Sequence, residues 1–364
     1  MRIVRSLLPC LLALLLPLAA AAQHYQQTNL VSDVPGLAAH PDDDLVNAWG
    51  LTRGPTTPWW VNDNGSGVST LYNAAGVKNT AIRVTIPPPP GSTDPSTPTG
   101  IAFNGSGSGF VVTANGKSGS ARFLFATEDG SISGWNPTVD AANSVITVPN
   151  FGAAIYKGLT IATNSNGATL LYAANFSQGR VDVFDSTWQP ASTTGGFVDA
   201  ALPAGYAPFN VQEIGGAIYV SFAKVGDLPD EQHGKGLGFV DKFDTDGNLL
   251  MRFEHGPWLD APWGLAIAPA GFGQFSGDLL SGQFGSGRIA AYDPNSGEFV
   301  GFLHGPRGPL VIDGLWALAF GGGNATSGPA NTLFFTAGPN DEQHGLFGTL
   351  TAIKDDNDGD GHDD

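Results

Sequence analysis

One short pattern recurs six times along this chain: a variable residue, then in most copies glycine, then an apolar run. It reads N-A-W-G-L-T from Asn47, P-T-G-I-A-F from Pro98 and Y-K-G-L-T-I from Tyr156. It continues as P-F-N-V-Q-E from Pro208, P-W-G-L-A-I from Pro262 and L-W-A-L-A-F from Leu315. The variable positions are Trp49, Thr99, Lys157, Asn210, Trp263 and Trp316, spaced by 50, 58, 53, 53 and 53 residues. Six units of that length, each able to hold four short strands, predict an all-β, six-bladed β-propeller.

The strand and turn signals inside each unit agree. In the fifth, strands are predicted over 264–268, 278–283, 288–293 and 298–303, with G-S-G at the second turn. The second unit carries an extra hairpin near 109–118, and the sixth stops after three strands, at 346–353. The stretch 26–32 has strand character and no unit of its own. It is expected to supply the missing strand and close the ring, which removes two open sheet edges. Gly 51 and Pro 26 suit many tight turns, and no long amphipathic helical pattern appears.

Residues 1–22 read as a cleaved signal peptide: Arg2 and Arg5, an apolar run too short to span a bilayer, then Ala20, Ala21 and Ala22. The protein is therefore expected to be secreted, periplasmic or extracellular. The propeller occupies 23–354 and an acidic tail 355–364. Cys10 is the only cysteine, so the mature chain has no disulfide and depends on burial and ring closure. Without Arg2 and Arg5 the balance is 14 basic against 33 acidic side chains, or −19. Such a chain repels phosphate backbones, which argues against nucleic acid as a partner. A monomer binding a small molecule or saccharide, without a membrane span, is the expectation.

The segments N-A-W-G-L at Trp49, W-W-V-N-D-N-G at Trp59, A-P-W-G-L-A at Ala261 and H-G-L-F-G-T-L-T-A-I at His344 resemble an uncharacterised secreted bacterial propeller family. Some of its members carry PEP-CTERM sorting tails, which this sequence lacks. The resemblance covers nearly all of the mature chain and implies fold and export, but no activity.

Candidate chemistry lies on one propeller face, where the loops leading into the inner strands meet those joining second strands to third. Five histidines fall in such loops: His40, His233, His255, His304 and His344. His255 and His304 share H-G-P, and the loops of His233 and His344 both read D-E-Q-H-G. Imidazoles from separate blades are able to ligate a zinc-like divalent metal, as in NHL-type amidating lyases, although repeated turn sequences explain the same pattern. The acid and amide metal site of gluconolactonase-type propellers has no counterpart, since only Asn210 fits it.

A second candidate set is a polar ring: Asn62, Asp63, Glu128, Lys157, Asn175, Asn210, Lys224 and Gln283. Within it Glu128 is the candidate general base and Lys157 its companion. Trp49, Trp263 and Trp316 form either an aromatic wall for a flat ligand or packing between blades. At the C-terminus D-N-D-G-D-G-H-D-D matches a calcium loop, with Asp356, Asp358, Asp360 and Asp364 as donors. Two function classes follow: a binding or scaffold protein using the channel face, and a metal-dependent hydrolase or lyase.

Overall fold

The computed structural model describes residues 23–353 and is a six-bladed β-propeller. Apart from a single turn of 3-10 helix at Gly273–Phe275, the described residues form strands and turns. No helix among them is long and apolar enough to cross a membrane. The signal-peptide segment and the aspartates of the proposed calcium loop lie outside the described residues.

Blades one, two, four and five each contain four strands running outward from the channel. The inner strands of the six blades are Ala48–Thr52, Pro98–Phe103, Tyr156–Thr163, Tyr206–Ile214, Pro262–Ile267 and Leu315–Phe320, in blade order. The second strands are flanked by neighbours on both sides and buried on both faces, as Trp59–Asp63 and Leu279–Gln283 show. The outermost strands are half exposed; Leu249–Arg252 is an example. Apolar side chains gather into one cluster at each of the six blade-to-blade interfaces, and a further cluster fills the axis. The core is thus a ring of inter-blade wedges around an aromatic plug.

Blade three departs from the expected four strands. Its sheet ends at Arg180–Asp185, followed by an isolated bridge between Phe184 and Pro190. Pro190 has no N–H to give a ladder, and Gly195 and Phe197 hydrogen-bond Asp246 and Gly247 of blade four instead. The extra hairpin of blade two is present as Val111–Ala114 paired with Lys117–Ser120.

The ring closes as the strand signals require. His24–Ser32 pairs antiparallel with Leu346–Ile353, from His24 opposite Ile353 to Ser32 opposite Leu346. Tyr25 donates its hydroxyl to Phe272 O at 3.0 Å and packs on Phe272, so this closing strand is tied to blade five as well. Staples run between neighbouring inner strands. Thr99 Oγ1 donates to Tyr156 O at 2.7 Å, and Asn210 Nδ2 donates to Trp263 O at 2.9 Å.

The recurring glycine has a geometric cause. Adjacent inner strands approach so closely that a Cβ on Gly100 would lie 2.3 Å from Leu159 N, and one on Gly264 2.5 Å from Trp316 O. In all six blades the register between first and second strands also shifts at this point. Such bulges re-aim side chains. Here they crowd the six variable residues of the repeat around one end of the channel.

Candidate functional site

The axis at that end is closed by rings. Trp316 lies between Trp49, stacked at 3.6 Å and 14°, and Phe284, stacked at 3.9 Å and 18°. Trp263 meets both tryptophans edge-on, at 6.4 and 6.0 Å. All three tryptophans are buried, so of the two arrangements open to them, ligand-facing wall or packing, they adopt packing: a plug whose rings cover one another. Beyond it, Leu51, Ile101, Leu159, Leu265 and Leu318 confine the channel to a cavity of about 10 Å³. That is near the lower limit for a single water.

On the open side of the plug a charged cluster assembles from four blades. Lys157, at the start of blade three's inner strand, is buried with its Nζ 5.0 Å over the Trp49 ring and within 6 Å of Phe176 and Phe209. Its ammonium is 2.6 Å from Glu128 Oε1 and 3.6 Å from Glu231 Oε2. Glu128 Oε2 accepts from Asn64 Nδ2 at 3.0 Å. Asn47 Nδ2 donates to Asn64 Oδ1 at 3.3 Å and to Glu342 Oε1 at 3.2 Å. Asn47 Oδ1 in turn accepts from Trp316 Nε1 at 2.9 Å. The chain Lys157–Glu128–Asn64–Asn47–Glu342 therefore arcs over the plug and is anchored to it.

The three carboxylates come from equivalent second turns of blades two, four and six. Burial pushes the Glu231 carboxyl up, and the nearby Lys157 only partly offsets this. Burial also pushes Glu342 up, to about 7, reinforced by Glu128 and Glu231 and opposed by Lys157 and Asn47. Burial works against the charge on Lys157, yet the attraction of Glu128, Glu231 and Glu342 outweighs it and holds the ammonium above its ordinary range. One ammonium facing three acids leaves at least one carboxyl able to carry a proton at neutral pH.

Glu128 and Lys157 were the catalytic candidates read from sequence, and the fold brings them into contact. Glu231 and Glu342 were missed, although the signal was in view. They are the second letters of the duplicated D-E-Q-H-G, in the same turns as His233 and His344.

The histidines do not converge. His40 lies on His40–Pro41, the outermost strand of blade six's sheet, with Nε2 3.1 Å from Ala75 O. His255 stacks on Phe239 at 4.4 Å, and its Nε2 is 3.0 Å from Gly236 O. His304 Nδ1 is 3.0 Å from Phe302 O, in a small hairpin outside blade five. His344 Nδ1 is 2.7 Å from Asp33 Oδ2, and His233 packs near Phe284 at 5.1 Å. Among the described residues no group of three or more His, Cys, Asp or Glu side chains is placed to share a metal ion. The imidazoles of the H-G-P and D-E-Q-H-G repeats thus meet different local partners: rings for His233 and His255, a carbonyl for His304 and a carboxylate for His344.

Most of the polar ring is spent on structure. Asn62 Nδ2 donates to Thr99 O and Gly100 O, stapling blade one to blade two. Asn210 does the same between blades four and five. Asn175 Nδ2 holds Asp182 at 2.7 Å, while Gln283 bonds Ser281 and the Asp260 N–H. Lys224 reaches Ala204 O. Asp63 is buried against Thr70 Oγ1 at 2.7 Å, and burial raises its carboxyl well above the ordinary range.

No family model matches the chain. It is 34% identical over 338 residues to uncharacterized protein L690 of Acanthamoeba polyphaga mimivirus, covering 88% of this chain and 84% of the relative. The chain belongs to the family of that protein. Uncharacterized protein R648 of the same virus is 32% identical, over 88% of this chain and 78% of its own. These relatives are viral, so the bacterial origin implied by the resemblance is not supported, whereas the propeller it implied is.

Solved structures share the fold alone. Virginiamycin B lyase from Staphylococcus aureus aligns over 91% of this chain and all of its own, with a TM-score of 0.51 and 12% identity. A glucose dehydrogenase aligns over 89% and 99%, with a TM-score of 0.53 and 12% identity. A protein of unknown function from Bacteroides thetaiotaomicron reaches 0.54 at 11% identity, over 91% and 77%.

Proposed function

We propose that this propeller is a binding protein that takes a small polar ligand at the channel mouth, against Glu128, Glu231 and Glu342. One observation carries this reading: four ionisable side chains from four blades are gathered over an aromatic plug that already closes the axis. Stability does not call for them, because replacing a buried ionic cluster with apolar residues is commonly neutral or stabilising. Clusters of perturbed groups instead mark functional sites. An open groove of about 660 Å³, lined by residues 225–227 and 230–233, leads to Glu231. The excess of acceptors favours ligands rich in hydrogen-bond donors, such as sugars or amines.

The test is ligand-observed NMR with a panel of saccharides and alkylamines, comparing the parent with Glu231→Gln and Glu342→Gln. Binding that weakens at least about tenfold in either variant supports the site, a loss of about 1.4 kcal/mol. Hits that bind both variants as well as the parent overturn it. A second reading, acid–base catalysis as a hydrolase or lyase, is favoured by Glu342 titrating near 7, the range a general base needs. Conversion of a bound panel member, detected by mass spectrometry and lost in Glu342→Gln, distinguishes it. The same protein is read as exported after loss of residues 1–22, which N-terminal sequencing of the mature chain checks.

A further inference from the structure

The turn of blade six that carries Glu342 is built unlike its counterparts in blades two and four. Asn340, Asp341 and Glu342 follow one another in the left-handed region, at φ 57°, 50° and 63°. Asparagine and aspartate tolerate that region, but glutamate rarely adopts it, so something must hold Glu342 there. Both ends of the turn are fixed. Gly338 N donates to Gly314 O and Asn340 N to Asp313 Oδ2, each at 2.8 Å. At the other end His344 and Gly345 bind Asp33 at 2.7 and 2.8 Å, and Asn47 N donates to His344 O at 3.1 Å. Between these ends the turn is held from within, by Glu342 N donating to Gly338 O at 3.1 Å and His344 N to Pro339 O at 3.2 Å, and Asn47 Nδ2 to Glu342 Oε1 is the side-chain hydrogen bond that ties its tip to blade one.

The charges facing Glu342 are unbalanced. Glu128 from blade two and Glu231 from blade four repel it, and Lys157 from blade three attracts it. Lys157 is already within 4 Å of both other carboxylates. From blade one it meets the neutral amide of Asn47.

We propose that residues 338–345 form a proton-operated latch over the channel mouth: protonated Glu342 holds the turn down, and ionised Glu342 is repelled by Glu128 and Glu231 and releases it. Repulsion and left-handed backbone strain act in the same direction once the proton leaves. Burial, which brings this carboxyl to about 7, puts the transition within the physiological range. Release breaks the Asn47–Glu342 bond and exposes Lys157, Glu128 and Glu231. The latch adds gating to the binding site proposed above but needs no ligand to operate. It is therefore tested on ligand-free protein, where its failure leaves the binding reading standing.

Amide hydrogen exchange of the full chain, corrected for base catalysis, is measured from about pH 5 to about pH 9. The open fraction at 338–345 is expected to rise toward about tenfold per pH unit, the slope for loss of one proton. Glu342→Gln, which cannot ionise, should stay protected throughout. Glu231→Gln removes a repelling charge and should move the transition to lower pH. Near-UV circular dichroism should report the same transition, because Asn47 also holds Trp316 Nε1. A turn whose corrected protection is flat with pH overturns the latch, as does a Glu342→Gln variant that titrates like the parent. If Glu342→Gln fails to fold, an unmoved transition in Glu231→Gln overturns it alone.

Discussion

At the scale of single residues, Glu342 gives the sharpest expectation. Its carboxyl is raised in the fold, from 4.5 to about 7, so the folded state holds its proton more tightly than the unfolded chain does. The resulting stability is full below about pH 4.5 and is lost as pH rises through about 7. The melting temperature of the parent should therefore fall across that window by more than that of Glu342→Gln. The difference is worth up to about 1.4 kcal/mol for each pH unit between the two values. Equal pH slopes in parent and variant would contradict the burial argument. Asp241 is also raised to about 7 by burial, which is why the difference between the two proteins, not either profile alone, is the measurement.

Residue identity was legible in the sequence where the repeat fixed it. Lys157 and Glu128 occupy positions set by blade geometry, and they meet. The histidines occupy turns whose side-chain directions depend on contacts outside the repeat, such as Asp33 for His344 and Phe239 for His255. A period locates a turn along the chain, but it does not orient the side chains within it. Trp49, Trp263 and Trp316 meet at the axis, yet the choice between wall and plug depended on Phe284, which lies outside any motif.

At the scale of elements, the inner strands were legible because a physical contact forces their signature. The small residue after the variable position lies where neighbouring strands nearly touch. Gly100→Ala should cost about 1–3 kcal/mol in denaturant unfolding, typical of overpacking, because the added Cβ meets backbone that cannot swing aside. A variant as stable as the parent would show that the ring relaxes there. Blade three's missing fourth strand was not legible, since the pairing of Gly195 and Phe197 with blade four is a long-range choice. The C-terminal element makes a separate expectation. The last strand ends at Ile353, so removing residues 355–364 should leave the melting temperature within about 1 °C, as for a surface change. We propose that Asp356, Asp358, Asp360 and Asp364 bind calcium weakly. Calorimetry of the two lengths checks this, and identical calcium heats would count against it.

At the scale of the whole molecule, stability is circular. Each inter-blade cluster draws on two blades, and the one between blades six and one takes side chains from both His24–Ser32 and Leu346–Ile353, which share one sheet. Leu30 and Val31 of the closing strand enter the cluster between blades six and one, while Tyr25 enters the cluster between blades five and six. Ser32 Oγ also donates to Gly345 O at 2.7 Å, and Asp33 anchors the turn that carries Glu342. Deleting residues 23–33 should therefore lower the melting temperature by well over 10 °C, since burying Tyr25, Leu30 and Val31 alone contributes several kcal/mol. The same deletion should abolish any pH response of the turn at 338–345, because its base is no longer held. A synthetic peptide of residues 23–33, added in excess, should restore part of the lost stability in a concentration-dependent way, as mass action requires of a strand that binds only the folded ring. A deletion variant that melts with the parent would mean the ring is held by its blade interfaces alone, with the terminal strand a passenger on blade six.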